Sequence, residues 1–163
     1  MKIGQIQKKA QIEYIKNPDK VAVISAGEYI VISNGSRGVH IPKDVAGIRY
    51  EQAIAVDNNT GEIIEDELSM PDKLLEQTVE AELTNRIGYS VDDDKDICRK
   101  IVDKESGKFA YVPIKALSFF GNNKKYRVGN TKWDAVAVTD IDGMVIGMII
   151  PKYVEEMEVI EDE

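Results

Sequence analysis

Residues 21–45 have the sequence VAVISAGEYIVISNGSRGVHIPKDV. Three short runs within this stretch, 21–25, 29–33 and 38–42, are rich in the β-branched and aromatic residues that favour strands. The dipeptides Ala26-Gly27 and Asn34-Gly35 separate the runs, and both are typical of tight turns because Gly and Asn tolerate a positive φ. The stretch therefore predicts a meander of three antiparallel strands.

A helix followed by three strands is predicted near each end of the chain. Residues 4–15 form an amphipathic helix in this prediction, because Ile3, Ile6 and Ala10 recur at helical spacing and Pro18 follows the last turn. A second short helix is predicted at 113–120, and Gly121 ends it. Strands are then predicted at 126–128, 134–139 and 144–150.

The middle of the chain predicts two hairpins and one longer helix. The first hairpin pairs 50–56 with 62–65 around the turn 57–61, and the second pairs 97–102 with 108–112. Between them, Ser69 is a candidate N-cap for a helix that extends to about Ile87. The apolar stripe of that helix is Leu74, Leu75, Val79 and Leu83.

The sum is an α+β protein of mostly antiparallel strands, about nine, with about three helices. A sequence echo between 39–45 (VHIPKDV) and 148–154 (MIIPKYV) suggests a duplicated helix-plus-three-strand unit at 4–45 and 113–154; chance similarity is the alternative. We expect a single domain over 1–154, with an insertion at about 47–97. Residues 155–163 form an acidic tail in this prediction.

Composition limits the classes of partner and the compartment. The formal net charge is −8 and the pI about 4.8, so the average surface repels nucleic acid and anionic membrane, although a local basic face remains compatible with these values. No apolar run reaches 18 residues and the N-terminus lacks a signal-peptide pattern, which predicts a cytoplasmic protein without a membrane partner. A single cysteine, Cys98, allows no intramolecular disulfide.

Catalytic machinery is nearly absent from the sequence. The one histidine, His40, and Cys98 both fall in predicted strands, where a structural role is the simpler interpretation. The acidic run 92–96 could serve a metal-assisted enzyme together with Glu65 or Asp66, but it lacks EF-hand spacing, and a solvated loop is favoured. We therefore predict no enzyme, no metal, no cofactor and no small-molecule substrate.

Basic residues concentrate on the predicted helices and turns. If the first and third helices lie side by side over one sheet, their lysines form a positive stripe that can contact phosphates without reading bases. The alternative is a set of dispersed, solubilising lysines. The candidate DNA-binding residues are Lys8, Lys9, Lys16, Lys115, Lys124, Lys125 and Arg127.

Three segments share features with a known family. They are a hairpin at 29–42 (YIVISNGSRGVHIP), a strand entering a helix at 109–117 (FAYVPIKAL) and a closing strand at 142–151 (DGMVIGMIIP). These segments resemble, in turn, the strand, Asp-Gly-x-Arg, strand hairpin, the strand into an Ile-Pro-x-x-x-Leu helix, and the closing strand of the bacterial DNA polymerase sliding clamp (beta clamp) family. The resemblance implies a duplicated fold whose helices line a DNA-filled hole, with Lys8, Lys9, Lys16 and Lys115 matching inner-helix basic residues. Asn34 replaces the usual Asp, and residues 47–97 have no counterpart.

The resemblance predicts a non-enzymatic, sliding-clamp-like protein that associates with DNA independently of sequence. Its partners are then the DNA backbone and replication proteins. A chain of 163 residues holds one such domain, so a ring requires a homo-oligomer. The alternative is an acidic interaction or structural module that does not bind nucleic acid, whose predicted helix 74–87 and tail 155–163 engage a basic partner.

Overall fold

The computed structural model describes residues 2–47, 70–92, 94–154 and 160–161. Over these residues the chain forms three α-helices, ten strands and a 3-10 helix, Lys43–Val45. The α-helices are α1 (Ile3–Lys16), α2 (Pro71–Gln77) and α3 (Ile114–Phe120). The strands are β1 (Ala22–Ala26), β2 (Tyr29–Ser33), β3 (Arg37–Pro42), β4 (Val79–Tyr89), β5 (Ile97–Val102), β6 (Phe109–Pro113), β7 (Lys125–Val128), β8 (Val136–Thr139), β9 (Val145–Ile149) and β10 (Ile160–Glu161).

All the strands join one antiparallel sheet, so the predicted α+β class is confirmed. The order across the sheet is β1-β2-β3-β9-β8-β7-β4-β5-β6, and β10 pairs with β4. Strand β4 connects two parts of the sheet: it pairs with β7 through Val79–Ala81 and with β5 along the rest of its length. Part of the region predicted as an insertion therefore lies inside the sheet.

The two predicted helix-plus-three-strand units occupy matching places. Helix α1 precedes β1-β2-β3, helix α3 precedes β7-β8-β9, and the two meanders meet where β3 pairs antiparallel with β9. The strand order on one side of this pair is repeated in reverse on the other. A local two-fold arrangement of the kind expected for a duplicated unit follows from this topology.

The sequence echo between 39–45 and 148–154 does not match the residues that the two-fold arrangement makes equivalent. Equivalent residues of two strands related by a two-fold axis through the sheet lie on the same face. Ile41 is buried, but Ile150, its counterpart in the echo, is 37% exposed, and the buried residue is Ile149. The echo is therefore displaced by one position from the structural match, and the duplication stays a prediction.

The sheet has two unequal sides. Helices α1 and α3 cover one side, which we call the helix face, and pack on a core cluster of 21 buried residues that includes Ile6, Ala10 and Phe120. Helix α2 covers the other side, the α2 face, where Leu74 packs in a cluster of six buried residues. Most of the buried apolar area of the described chain thus lies beneath the helix face.

Two glycines allow close packing where the meanders meet. A Cβ on Gly147 would lie 2.5 Å from the carbonyl oxygen of Gly38 and 2.6 Å from Cε1 of Phe120. A Cβ on Gly38 would lie 2.6 Å from a methyl carbon of Val31. A side chain at 147 would press on the backbone of β3 and on Phe120, and one at 38 would press on Val31 of β2, so only glycine fits either position without displacing a neighbour.

The predicted helix that extends to about Ile87 is wrong beyond Gln77. Helix α2 ends there, and the remaining residues form β4. Val79, Ala81 and Leu83 pack against the main core cluster, an alternation that fits a strand. The strand prevails because β7 and β5 lie on either side of β4 and satisfy its backbone hydrogen bonds.

The other predicted elements within the described residues are confirmed to within a few residues. Both meanders, the hairpin of β5 and β6, and helices α1 and α3 are present. Gly121 ends α3 with φ 79° and donates its N–H to the carbonyl oxygen of Leu117. The predicted hairpin 50–65 and the candidate N-cap Ser69 lie outside the described residues. None of the helices described is long and apolar enough to span a bilayer.

Candidate nucleic-acid interface

Helices α1 and α3 lie next to each other on the helix face. The ammonium nitrogen of Lys9, on α1, lies 4.5 Å from the ring centre of Phe119, on α3. Ile6 and Ala10 of α1 share a core cluster with Phe119 and Phe120 of α3. Helices α1 and α3 therefore meet on the helix face through Lys9 and Phe119, while α1 lies mainly over β2 and β3 and α3 over β5 and β6.

The helix face is basic on an acidic chain. Helix α1 carries three lysines and one glutamate, and α3 carries one lysine and no acid, a net charge of +3 over the two helices. The formal net charge of the whole chain is −8. The single acid, Glu13, pairs with Arg37 at 2.7 Å. Phosphates approaching this face therefore meet cations locally, despite the overall repulsion.

The four lysines predicted on the helices all lie on this face, and two of them are close together. Lys9 and Lys115 line the same cavity, one from each helix. Lys8 is exposed on the outer side of α1, since it follows the buried Ile6 by two residues. Lys16 lies in the last turn of α1 and is also exposed.

The candidates on β7 lie elsewhere. Tyr126 belongs to the core under the helix face, so the neighbouring Lys125 and Arg127 project to the α2 face. The Arg127 guanidinium donates hydrogen bonds to the carbonyl oxygens of Leu75 at 3.2 Å and Thr78 at 2.7 Å, at the C-terminus of α2. The positive charge and hydrogen-bond donors of Arg127 stabilise that helix end.

Lys124 lies in the short connection between α3 and β7. Its ammonium group donates a hydrogen bond to the carbonyl oxygen of Asn122 at 3.0 Å. Of the seven predicted DNA-binding residues, the structure thus brings Lys8, Lys9, Lys16 and Lys115 onto one face, with Lys124 beyond the end of α3. It separates Lys125 and Arg127 from them.

Two further cations, Arg37 and Lys95, join Lys9 and Lys115 around the cavity between the helices. In the sequence, Arg37 is only one residue of the hairpin segment 29–42. Its guanidinium carbon lies 3.3 Å from the ring centre of Phe119, and the residue is 6% exposed. The pairing of Arg37 with Glu13 spans 24 residues, so no local pattern could have identified it.

The acidic run converges on a lysine. Carboxylate oxygens of Asp92, Asp94 and Asp96 lie within 4.8 Å of one another. The ammonium nitrogen of Lys152 lies 2.6 Å, 3.4 Å and 3.3 Å from these three carboxylates, respectively. The ammonium group takes the position that a cation would need, so the cluster is an ion-pair network. Glu65 and Asp66 lie outside the described residues.

The network changes the acidity of its members. Hydrogen bonds from Lys152 and then Ser90 lower the pKa of Asp92 to about 2. Burial alone would raise the pKa of Asp96, but hydrogen bonds from Lys115 and Lys152 outweigh it and lower the pKa. Hydrogen bonding to Asp92 raises the pKa of Lys152. These side chains stay charged at neutral pH and hold Asp92, Asp94 and Asp96 against Lys152.

Cys98 is buried, as the sequence indicated, and His40, which the sequence placed at a strand surface or edge, is buried as well. Burial, together with the nearby charge of Asp96, raises the pKa of the Cys98 thiol to about 12. Nucleophilic chemistry needs the thiolate, which is scarce at neutral pH under these conditions. Cys98 therefore contributes to packing of the β5–β6 hairpin.

An aromatic pair projects from the sheet end near Lys152. Trp133 and Tyr153 stack with ring centres 5.5 Å apart and planes 17° apart. The ammonium group of Lys132 lies 5.2 Å from the Trp133 ring centre and 4.6 Å from that of Tyr153. Trp133 is 58% exposed, which makes it the largest exposed apolar side chain of the described residues.

Comparison with known proteins gave no relatives: no protein-family model, curated protein or solved structure matches this chain.

Proposed function

We propose that this protein is a non-enzymatic, sliding-clamp-like protein that associates with the DNA backbone independently of sequence. The observation that carries the proposal is the pair of helices α1 and α3, adjacent on one side of the sheet with a net charge of +3 on a chain of net charge −8. The DNA-contacting residues in this proposal are Lys8, Lys9, Lys16 and Lys115.

The chemistry of these side chains suits phosphates rather than bases. Lysine ammonium groups are point charges without the planar fork that reads a guanine edge. Binding through them releases counterions and therefore weakens steeply with salt. Four phosphate contacts correspond to a slope of about −3.6 in a plot of log affinity against log salt concentration.

Encircling DNA requires more than one copy of the chain. One two-fold unit with two helices supplies only a segment of a ring, so the proposal includes a homo-oligomer whose helix faces point inward. Head-to-tail association produces a ring when the rotation between successive copies closes. Light scattering of the purified protein should give a mass that is a whole multiple of 18.2 kDa and larger than one chain.

The direct test compares two matched variants for binding to duplex DNA by fluorescence anisotropy over a range of salt concentrations. One replaces Lys8, Lys9, Lys16 and Lys115 with Gln. The control replaces four lysines outside the helix face with Gln and reaches the same net charge: Lys73, Lys104, Lys108 and Lys125. Circular dichroism confirms that both remain folded.

The helix-face variant should bind at least about tenfold more weakly and lose most of the salt slope, whereas the control should resemble the parent protein. Equal binding by the two variants would show that net charge alone governs association, and would refute the proposal. Absence of DNA binding by the parent protein at low salt would refute it as well.

One observation favours the alternative, a protein-interaction module without nucleic-acid binding. The exposed stack of Trp133 and Tyr153 has the composition of a protein-binding hot spot, in which Trp and Tyr are enriched. The predicted acidic helix of this module is reduced to α2, because residues 79–89 form β4. If W133A abolishes capture of a partner protein while the parent fails to bind DNA, the alternative replaces the DNA proposal.

A further inference from the structure

The cavity between α1 and α3 has the size and lining of a ligand site. Its volume is about 770 Å³, within the range of about 300–1,000 Å³ of small-molecule pockets. Phe119, Ile114 and Ala116 supply an apolar wall from α3, and Pro113 and Ile97 extend it. A compact apolar group can be buried against this wall.

The lining of the cavity carries more positive than negative charge. Four of its lining residues carry a positive charge, Lys9, Arg37, Lys95 and Lys115, and one, Asp96, carries a negative charge. Asp96 is already paired with Lys115 at 3.0 Å and with Lys152 at 3.3 Å. Charge complementarity therefore selects an anion, and several converging cations suit a dianion better than a monoanion.

Arg37 is fixed by an ion pair and still has an unused hydrogen-bond donor. Its NH2 group donates to Glu13 at 2.7 Å, whereas its NH1 group is buried and has no hydrogen-bond partner among the described residues. A buried donor without a partner is costly, so an acceptor that reaches it is favoured. The Lys9 ammonium and the Arg37 guanidinium carbon both lie within 4.5 Å of the Phe119 ring centre. Their mutual repulsion decreases when an anion approaches.

We propose that this cavity binds a phosphomonoester that carries a compact apolar group. The phosphate contacts Lys9, Lys95, Lys115 and the edge of Arg37, and the apolar group packs on Ile114 and Ile97. The site is separate from duplex association in its chemistry, because it requires an apolar body that the DNA backbone does not offer, although Lys9 and Lys115 serve both.

Phenyl phosphate is a suitable probe, and isothermal titration calorimetry at fixed ionic strength measures its affinity. Three related probes each lack one feature: inorganic phosphate lacks the apolar group, benzyl alcohol lacks the charge, and phenylacetate has a carboxylate in place of the phosphate. Phenyl phosphate should bind with one site per chain and about tenfold more tightly than inorganic phosphate. It should also raise the melting temperature, because it binds the folded state.

Two variants locate the site, and each should weaken phenyl phosphate binding by roughly tenfold. They are Lys95→Met, which lies outside the residues proposed to contact DNA, and Lys9→Met. Lys104→Met, an exposed lysine on the β5–β6 turn, is the matched control and should bind like the parent. Failure of phenyl phosphate to saturate, tighter binding of phenylacetate, or undiminished binding by K95M and K9M would each overturn the proposal.

Binding of phenyl phosphate and of duplex DNA, measured on the same protein samples, distinguishes this proposal from DNA association. If phenyl phosphate binds but duplex DNA does not, the cavity stands and the DNA proposal fails. If DNA binds and phenyl phosphate does not, the cavity proposal alone fails. K95M should retain DNA affinity in either case, since Lys95 is not among the helix-face lysines.

Discussion

The two sides of the sheet differ in the number of apolar residues that they bury and in what their basic residues contact. The helix face covers 21 buried apolar residues and presents Lys8, Lys9, Lys16 and Lys115 at or near its surface, whereas the α2 face covers only six buried residues. On the α2 face the guanidinium of Arg127 is engaged in holding the end of α2. A basic residue in a sequence is therefore informative about binding only when its structural duties are known.

The largest effect is expected from emptying the core beneath the helix face. Phe120→Ala removes a fully buried ring that contacts the β3–β9 junction near Gly147, and should lower the free energy of unfolding by about 3–5 kcal/mol. Leu74→Ala, in the smaller cluster of the α2 face, should cost about 2–3 kcal/mol. Urea denaturation measures both, and a larger loss for Leu74→Ala would contradict the described asymmetry.

A smaller effect is expected at the C-terminus of α2. Arg127→Met keeps the apolar stem but removes the hydrogen bonds to Leu75 and Thr78, so the free energy of unfolding should fall by about 1–3 kcal/mol. Lys125→Met, on the same strand and face, should change stability by less than about 0.5 kcal/mol. Equal losses for the two variants would mean that Arg127 does not cap the helix.

The ion-pair network around Lys152 should make stability depend on pH. The pKa of Asp92 is about 2 in the folded protein, below its ordinary value of 3.8. A lowered carboxyl pKa contributes stability that is present above about pH 4 and lost as the pH falls through 2. Asp92→Asn should therefore be less stable than the parent at pH 6, and the two thermal transitions should converge towards pH 2. A difference that persists unchanged at pH 2 would exclude this origin.

The smallest expected effect concerns Cys98. Because the thiol is buried and its pKa is about 12, a maleimide should not label it in the folded protein at pH 7. Labelling in 8 M urea, monitored by mass spectrometry, is the positive control. Rapid labelling of the native chain would indicate that the β5–β6 hairpin opens locally.

Local sequence patterns predicted the hairpins well because their information is local. Asn34-Gly35 and the strands on either side of it specify the β2–β3 turn, and Gly121 ends α3 where the pattern placed its end. The predicted helix was wrong over 79–87 because the spacing of Val79 and Leu83 suits both a helix and a strand. The strand forms because β4 pairs with β7 and β5, and this pairing is not visible in the local spacing of apolar residues.

The candidate site was predictable only in part for a similar reason. The lysines on α1 and α3 are evident from helical spacing, but the contribution of Arg37 depends on Glu13 and Phe119, which are distant in sequence. The sequence of the acidic run 92–96 favoured a solvated loop over a metal ligand set, and neither interpretation could include Lys152, about 60 residues away, which pairs with its aspartates. Long-range partners, rather than residue type, determined the role of each charged group.

The junction of β3 and β9 also has a consequence for synthesis of the chain. Strand β3 ends at Pro42 and its partner begins at Val145, so roughly 100 residues must be translated before the pair can form. At translation rates of about 5–20 residues per second this interval lasts roughly 5–20 s. During it the first meander has an open edge, and open edges pair readily with other chains. A nascent chain paused between these strands is thus an aggregation-prone form of this protein, and its yield should depend on how quickly the ribosome crosses that stretch.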